Sequence, residues 1–202
     1  MTRTRGLAAA ILAGGRARRL GGVDKWTLAV GGAPIRERQL AVLRRIADPV
    51  FVVGGTGTGD AQLHIVPDAY PDAGALGGIY TAIQASPCER TLVVACDMPF
   101  LNEDLLRRLA DTHADVAIPR TERGYEPLCA IYSRSCAPVI QKRIEHGELQ
   151  ASIPPAGVRI VELGPDVLAA IDPDGLLFVN VNTPHDYARA RSLADRITEG
   201  EG

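Results

Sequence analysis

One glycine- and arginine-rich stretch near the start of the chain carries residue types that bind phosphate. It follows an apolar run, Leu7 to Leu12, whose length suits a buried strand. Glycine has no β-carbon, so its backbone N–H can approach an anion that a side chain would keep away. The stretch holds four glycines and four cations, which are Gly14, Gly15, Gly21, Gly22, Arg16, Arg18, Arg19 and Lys25. A glycine-rich loop taken alone is more often a solvated surface turn, so a phosphate site depends on the rest of the chain.

The spacing of these glycines excludes two common nucleotide-binding loops. A dinucleotide-binding loop needs glycines at its first, third and sixth places before a helix, and a Walker loop needs Gly-Lys followed by Ser or Thr. Neither pattern occurs in the stretch. A second glycine cluster, residues 54–59, misses the dinucleotide pattern, and no amphipathic helix follows it. We expect that cluster to form a flexible loop.

A carboxylate follows another apolar run. Thr91 to Ala95 predict a buried strand, and Asp97 comes just after its carboxyl end, in the segment Cys96-Asp97-Met98-Pro99. Open α/β sheets bind ligands in the crevice at the carboxyl ends of their strands. From the residues alone, a structural role for Asp97, capping the turn before Pro99, is equally well supported. The functional interpretation predicts that Lys25 and Asp97 share one cavity.

Two amides come near the end of the chain. Asn180 and Asn182 alternate with Val181 at the end of a strand predicted over Phe178–Val181, so they are expected on one face of it. They are expected to face the cleft or, equally, to anchor the last strand by hydrogen bonds. Thr183, Pro184 and Asp186 predict the capped start of a final helix.

Strands and helices alternate along the chain in the way that predicts a doubly wound sheet. The unbroken apolar character of the first strand favours a mostly parallel central sheet buried on both faces. Strands are predicted at Leu7–Leu12, Val50–Val53, His64–Val66, Thr91–Ala95, Ala114–Ile118, Pro127–Tyr132, Val158–Leu163 and Phe178–Val181. Helices are predicted from Pro34 to about Ala47, through Ile79, Ala82 and Ile83 after a glycine- and proline-rich loop, after Asn102, and over Ser135–His146. We expect one domain, residues 1–202, with frayed tails at 1–5 and 197–202.

Composition excludes several classes of protein. The chain is 46% hydrophobic and 23% charged, which is typical of a soluble globular protein. Its longest early apolar run is too short to cross a bilayer, and no signal-peptide cleavage site follows, so we expect a cytoplasmic protein without a membrane partner. A formal net charge of −2 and the lack of a basic stripe argue against nucleic acid as a partner. Four cysteines without Cys-x-x-Cys spacing and four scattered histidines predict neither a disulfide framework nor a zinc site.

The motif that runs from Leu12 to Lys25 reads L-A-G-G-x-x-x-R-L-G-G-x-D-K, with Gly-Gly-Ala-Pro a few residues on. It resembles the nucleotidyltransferases that carry the loop L-A-G-G-x-x-x-R-M-G-x-D-K, and among them it is most similar to the molybdenum cofactor guanylyltransferases. Three departures are Leu20 in place of the usual methionine, Trp26 in place of a smaller residue, and Gly54 where many relatives have asparagine. The resemblance continues, in the family's order, through segments 74–78, 96–99, 126–128 and 180–184.

The resemblance implies a single-domain, Rossmann-like, three-layer α/β/α fold and a set of site residues. It implies GTP contacts at Leu12, Ala13, Gly14, Gly15, Lys25, Asp68, Gly77 and Asp97. Lys25, Asp97 and Arg19 would act in catalysis, Asp97 would hold Mg²⁺, and Asn180 and Asn182 would lie toward the acceptor. Trp26 is expected to be packing, with stacking on a base or pterin as the alternative.

The reaction that the resemblance implies is transfer of GMP from GTP to the phosphate of molybdenum-loaded molybdopterin, with release of pyrophosphate. An acceptor phosphate is already ionised near neutral pH, so this chemistry needs positioning and charge relief rather than a nucleophilic side chain. A related transferase that uses CTP, or one acting on another sugar or cofactor, is the alternative. A non-catalytic carrier of nucleotide or pterin is a second alternative, and a recipient molybdoenzyme or delivery protein is left open as a further partner.

Overall fold

The fold is built around one mixed sheet. We describe a computed structural model of the protein over residues 4, 6–13, 19–20, 23–55 and 63–200. The strands of the central sheet are β1 (Leu7–Leu12), β6 (Val50–Val53), β7 (His64–Val66), β8 (Arg90–Ala95), β9 (Val116–Thr121), β10 (Gly124–Tyr125), β11 (Cys129–Ser133) and β12 (Ile160–Leu163). Their order is β10-β9-β11-β8-β1-β6-β7, and β12 also pairs with β9. Strands β8, β1, β6 and β7 are parallel, whereas β11 runs antiparallel to both of its neighbours.

Helices cover both faces of this sheet. They are α1 (Ile35–Ile46), α2 (Gly74–Ala85), α3 (Glu103–Ala110), α4 (Ala137–Glu145), α5 (Pro165–Ile171) and α6 (Pro184–Gly200). One hydrophobic cluster packs α1, α3, α5 and α6 against the sheet, and a second packs α2 and α4 against the other face. Ala9 and Ile11 of β1 belong to the first cluster and Ala8 and Ala10 to the second, because side chains alternate along a strand. The predicted three-layer α/β/α arrangement with a mostly parallel sheet is confirmed.

Two small hairpins precede α1. In the first, β2 (Arg19–Leu20) pairs with β3 (Val23–Asp24), and in the second β4 (Ala29–Val30) pairs with β5 (Ala33–Pro34). Gly31 and Gly32 have φ of 60° and 78° in the second turn, where a two-residue hairpin needs left-handed backbone. Between the hairpins lies a 3₁₀ helix, Lys25–Thr27, which fixes the direction of Lys25.

The capping signals in the sequence are confirmed. Asn102 accepts a hydrogen bond from the backbone N–H of Leu105 at the start of α3. At the start of α6, Thr183 Oγ1 accepts from the Asp186 N–H, and the Asp186 carboxylate accepts from the Thr183 N–H. This capping box anchors the segment that immediately precedes α6.

Several predicted elements are wrong in detail. Phe178–Val181 does not form a strand. The backbone turns at residues 177–178, and the residues that follow pair with no neighbouring strand. Helix α2 begins at Gly74, so the glycines at 77 and 78 lie inside the helix rather than in the loop before it. Helix α6 extends through Gly200, over residues expected to fray. Helix α5 has no counterpart in the sequence prediction.

The described part of the chain contains neither a membrane-spanning helix nor a disulfide. Within the described ranges, no helix is long and apolar enough to cross a bilayer. All four cysteines are free thiols, and three of them are buried. No group of three or more His, Cys, Asp or Glu residues that could hold a metal ion occurs in the part of the chain that the structure describes.

Candidate functional site

A cavity of about 420 Å³ opens at the carboxyl end of the parallel strands. The last residues of three neighbouring strands line it, namely Leu12 of β1, Val53 of β6 and Ala95 of β8. Lys25 and Asp97 both lie on its wall, so the prediction that they share one cavity is confirmed. This is the edge at which open α/β sheets bind ligands.

Lys25 is an unusually buried cation. Only 2% of its surface is exposed, and its Nζ donates a hydrogen bond of 2.8 Å to Oδ1 of Asn182. The 3₁₀ helix that carries it is capped by Asp24, whose carboxylate accepts from the N–H of Trp26. A lysine is seldom this buried without a partner, because removing its charge from water is costly. The local turn and the distant amide together hold its ammonium group at the cavity.

The segment before α6 also approaches the Asp97 carboxylate. The Asn182 side chain is one of the groups that lower the pKa of this carboxyl, and only its amide NH₂ can donate to a carboxylate. The neighbouring Val181 N–H donates to the backbone carbonyl of Asp97 at 2.9 Å. The segment before α6 is therefore bound to the loop after β8 by a backbone hydrogen bond. Asn180 lines the same cavity.

The Asp97 carboxyl is partly buried, and burial raises its pKa above the ordinary aspartate value. The positive charge of Lys25 opposes this effect, as do hydrogen bonds from the backbone and from Asn182. The negative charge of Asp186, at the start of α6, adds a further upward push. A desolvated carboxylate that faces a cavity is suited to meet a cation there.

Asp68 also lines the cavity and is held by its own loop. Its Oδ1 accepts from the Tyr70 N–H at 3.0 Å and from the Thr81 hydroxyl at 2.8 Å. Thr81 belongs to α2, so this carboxylate ties the loop to the helix that follows it. The resemblance implies a GTP contact for Asp68, and the structure places it on the cavity wall. Its hydrogen bonds to Tyr70 and Thr81 also give it a structural role.

The two adjacent glycines of α2 have different surroundings. A β-carbon on Gly77 would lie 2.2 Å from the backbone oxygen of Tyr70, so Gly77 packs against the loop and is not among the described residues that line the cavity. A β-carbon on Gly78 would meet the Leu12 side chain at 2.9 Å, and Gly78 does line the cavity. Gly77, which the resemblance expects to contact GTP, therefore lies behind the cavity wall. Its neighbour Gly78 lies on the wall.

The start of α2 faces the same space. Gly74 and Ala75 line the cavity, and no described side chain caps the first backbone N–H groups of this 12-residue helix. Free N–H groups and the helix dipole favour an anion at such a terminus. This feature adds a partial positive charge to the cavity besides that of Lys25, whereas Asp68, Asp97 and Glu126 line it with carboxylates.

Some expected site residues cannot be placed. Gly14 and Gly15 lie outside the described residues, and for Arg19 only the backbone, in β2, is described. Ala13 is buried and donates its N–H to the Val53 carbonyl, so its backbone closes the end of the sheet. Gly54 has a φ of 73° and donates its N–H to Val66, which binds it to β7.

Trp26 is a packing residue rather than a cavity residue. It is 3% exposed, belongs to the core beneath α1, and donates its indole N–H to Gln39 at 2.8 Å. Its ring is therefore not placed to stack on a bound base or pterin, and the packing expectation is confirmed.

A second cavity of about 600 Å³ adjoins the first. Glu126, Asn180 and Asn182 line both, so the two cavities meet at these side chains. The second cavity is lined by two arginines, Arg123 and Arg189, together with the carboxylates of Glu122, Glu126, Asp172 and Asp186. Burial raises the pKa of Glu126, a residue that was not singled out as a site residue although the segment 126–128 carries part of the resemblance. Its place in segment 126–128 is the sequence signal that points to it.

The cysteine on the cavity wall is not an activated nucleophile. Burial and the nearby carboxylates of Asp97 and Asp24 raise the pKa of Cys96 to about 12. A thiol acts as a nucleophile through its thiolate, which is scarce near neutral pH at such a pKa. Chemistry at this site therefore depends on charge and positioning.

A cavity at the carboxyl edge of a doubly wound α/β sheet, lined by a buried lysine, an uncapped helix N-terminus and carboxylates that could meet a cation, is the kind of site in which α/β proteins bind nucleotides. A sequence model of the MobA-like NTP transferase domain matches residues 9–159. The chain belongs to the MobA-like NTP transferase family, and it is a nucleotidyltransferase.

Individual relatives agree with this assignment. A protein of Pelotomaculum thermopropionicum named probable molybdenum cofactor guanylyltransferase is 34% identical over 194 residues, which cover 94% of each chain. The crystal structure of molybdopterin-guanine dinucleotide biosynthesis protein A from Archaeoglobus fulgidus has a TM-score of 0.77 and 25% identity, covering 94% of this chain and 99% of that one. Rv0371C of Mycobacterium tuberculosis, solved in complex with manganese, shares the fold with a TM-score of 0.62 and 17% identity, over 93% of this chain and 98% of that one.

Proposed function

We propose that this protein transfers GMP from GTP to the phosphate of molybdenum-loaded molybdopterin, forming the guanine dinucleotide cofactor and releasing pyrophosphate. The observation that carries the proposal is the cavity that the Lys25 ammonium group and the Asp97 carboxylate share, with Asn182 holding Lys25 on its wall. The relative named probable molybdenum cofactor guanylyltransferase, which matches almost the whole chain, supports this choice of substrates.

In this reaction a phosphate oxygen of the acceptor attacks the α-phosphorus of GTP, and the bond to the bridging oxygen of the β-phosphate breaks. The acceptor oxygen is already ionised, so no side chain has to remove a proton. The Lys25 ammonium group, held by Asn182, offsets negative charge that builds up on the departing pyrophosphate. The N-terminal turn of α2 provides backbone donors for another part of the triphosphate.

The donor set fits a divalent cation that arrives with the nucleotide. Magnesium is usually bound by one or two carboxylates together with substrate phosphates and water, rather than by a full cage of protein ligands. Asp97 offers one carboxylate at the cavity, and the described residues contain no larger ligand cluster. We propose that Asp97 holds Mg²⁺, which when bound neutralises charge on the α- and β-phosphates.

The adjoining cavity is the proposed place for the acceptor. It meets the first cavity at Asn180 and Asn182, so an acceptor there would reach the α-phosphate without crossing the sheet. Arg123 and Arg189 on its wall are the groups that would contact the anionic molybdopterin phosphate, among four carboxylates that also line this cavity. Asn180 and Asn182 are thus proposed to face both substrates.

The test supplies purified protein with Mg²⁺, molybdenum-loaded molybdopterin and either GTP or CTP, and it follows pyrophosphate and the dinucleotide product. We expect product with GTP and much less with CTP. Product with CTP alone would identify a cytidylyltransferase instead. Nucleotide binding without pyrophosphate release, unchanged by Asp97→Ala, would identify a carrier.

A further inference from the structure

One fully buried amide connects the turn that carries Lys25 to the turn that carries Asp97. This amide belongs to Gln39 of α1, which has no exposed surface. Its Oε1 accepts the indole N–H of Trp26, the residue next to Lys25, at 2.8 Å. Its Nε2 donates to the carbonyl oxygens of Ala95 at 2.8 Å and Met98 at 2.9 Å, which lie on either side of Asp97 in the chain.

The orientation of this amide is determined by its partners. An indole N–H can only donate, and a backbone carbonyl can only accept, so the Gln39 oxygen must face Trp26 and its nitrogen must face the loop after β8. Both amide protons and the amide oxygen are therefore used. Buried networks in which every polar group is satisfied hold a single geometry, and leaving such groups unpaired is costly.

The preceding residue of α1 makes a parallel connection. Arg38 donates to the carbonyl of Pro99 at 3.1 Å and to the carbonyl of Val30 at 3.2 Å. It thus links the second hairpin to the same loop after β8. Two consecutive residues of α1 bind the segments on both sides of the cavity, although these segments are about 70 residues apart in sequence.

We propose that Gln39 is a positioning residue for nucleotidyl transfer, which keeps the Lys25 turn and the Asp97 turn at a fixed separation through Trp26, Ala95 and Met98. The proposal rests on the proposed function, because it assigns Lys25 and Asp97 to one triphosphate. Gln39 itself contacts neither charge. It acts by limiting the distance over which the two turns can move apart, and misplacement by about 1 Å can cost about 100-fold in rate.

The test compares Gln39→Met, which keeps the size of the side chain but removes its hydrogen bonds, with Arg90→Met as the matched control. Arg90 also binds buried backbone carbonyls, those of Leu109, Ala110 and Thr112 at the far end of β8, away from the cavity. Both variants should lose thermal stability. We expect kcat for pyrophosphate release to fall by about 100-fold in Gln39→Met, with a smaller change in KM for GTP, while Arg90→Met keeps the kcat of the unmodified protein.

The variant Trp26→Phe is a second test of the same connection. It removes the indole N–H that donates to Gln39 and keeps the hydrogen bonds from Gln39 to the loop after β8. It should lower kcat, and the double variant Trp26→Phe with Gln39→Met should be no slower than Gln39→Met alone, because both changes cut the same connection. If Gln39→Met does not fold, the kcat of Trp26→Phe decides the question. A folded Gln39→Met protein with the kcat of the unmodified protein, or a fall in kcat matched by Arg90→Met at equal stability loss, overturns the proposal.

A separate readout distinguishes this proposal from failure of the proposed function. If the unmodified protein releases no pyrophosphate from GTP, crystal structures of the unmodified protein and of Gln39→Met are compared. The positioning role predicts that the Lys25 turn and the Asp97 turn lie farther apart in the variant. An unchanged separation of the two turns overturns it.

Discussion

The Lys25 ammonium nitrogen lies 2.8 Å from Oδ1 of Asn182, although 157 residues separate them along the chain. The same side chain is one of the groups that lower the pKa of the Asp97 carboxyl, so Asn182 acts on both charges of the cavity. The capping box at Thr183 and Asp186 holds this amide in place. The start of α6 therefore determines how the lysine and the carboxylate are arranged.

Asn182→Ala should lower kcat/KM for GTP while leaving the fold intact. The variant removes the hydrogen bond to the Lys25 ammonium group, and loss of a hydrogen bond to a charged group is equivalent to about 10- to 100-fold in rate. Initial rates of pyrophosphate release at varied GTP measure the effect. Gln141→Ala is the matched control, since this residue of α4 accepts a hydrogen bond from the Tyr80 hydroxyl at 3.3 Å and is not among the described residues that line either cavity. Equal losses in the two variants would contradict a role for Asn182 at the site.

The neighbouring glycines of α2 give a second, paired prediction. Gly77→Ala should destabilise the protein by at least about 2 kcal/mol, because its β-carbon would overlap a backbone oxygen that cannot move freely. Gly78→Ala should cost less, since the Leu12 side chain can shift, but the shifted side chain would enter the cavity and raise KM for GTP. Denaturant unfolding and steady-state kinetics separate the two effects. A normal stability for Gly77→Ala would contradict the packing role assigned to it.

Alkylation tests the claim that no thiol takes part. With a pKa of about 12, roughly one Cys96 thiol in 10,000 is ionised at pH 8, so iodoacetamide should leave this residue unmodified in the folded protein. Cys88 is partly exposed and should be labelled first. Mass spectrometry of peptides, together with residual activity, follows both sites. Inactivation in step with labelling of Cys96 would show that the thiol is more accessible and more acidic than its surroundings indicate.

Local sequence signals predicted most of the fold. Apolar runs identified the parallel strands, and Asn102 and Thr183 marked helix starts, because these features depend on residues close in sequence. The segment Phe178–Val181 has the composition of a strand, yet its Val181 N–H bonds the Asp97 carbonyl instead of joining a ladder. Whether an apolar segment finds a strand partner is decided by tertiary packing, which composition does not record.

The sequence predicted the charged residues of the site but not the hydrogen bonds that connect the segments carrying them. Lys25 and Asp97 stood out because a cationic loop and a carboxylate after a buried strand are chemically distinctive. Gln39 did not stand out, because on an amphipathic helix a glutamine is expected on the polar face. Its burial depends on partners such as Met98, 59 residues away. Contacts at that distance in sequence become visible only once the sheet has brought the elements together.

Asp97→Asn should abolish turnover without destabilising the protein. Burial raises the pKa of Asp97, so the folded state binds its proton more tightly than the unfolded chain does. The stabilisation from this group is then fully present below the unfolded-state pKa and is lost as the pH rises through the higher folded-state pKa. At neutral pH the ionised carboxylate consequently costs stability, and a neutral amide of the same shape removes that cost. Thermal unfolding at pH 7.5 should give a Tm for Asp97→Asn equal to or above that of the unmodified protein, and the difference should shrink as the pH falls into the acidic range where Asp97 is protonated. A lower Tm at pH 7.5 would mean that Lys25 and Asn182 stabilise the ionised form more than burial destabilises it, and the assigned direction of the pKa would be wrong.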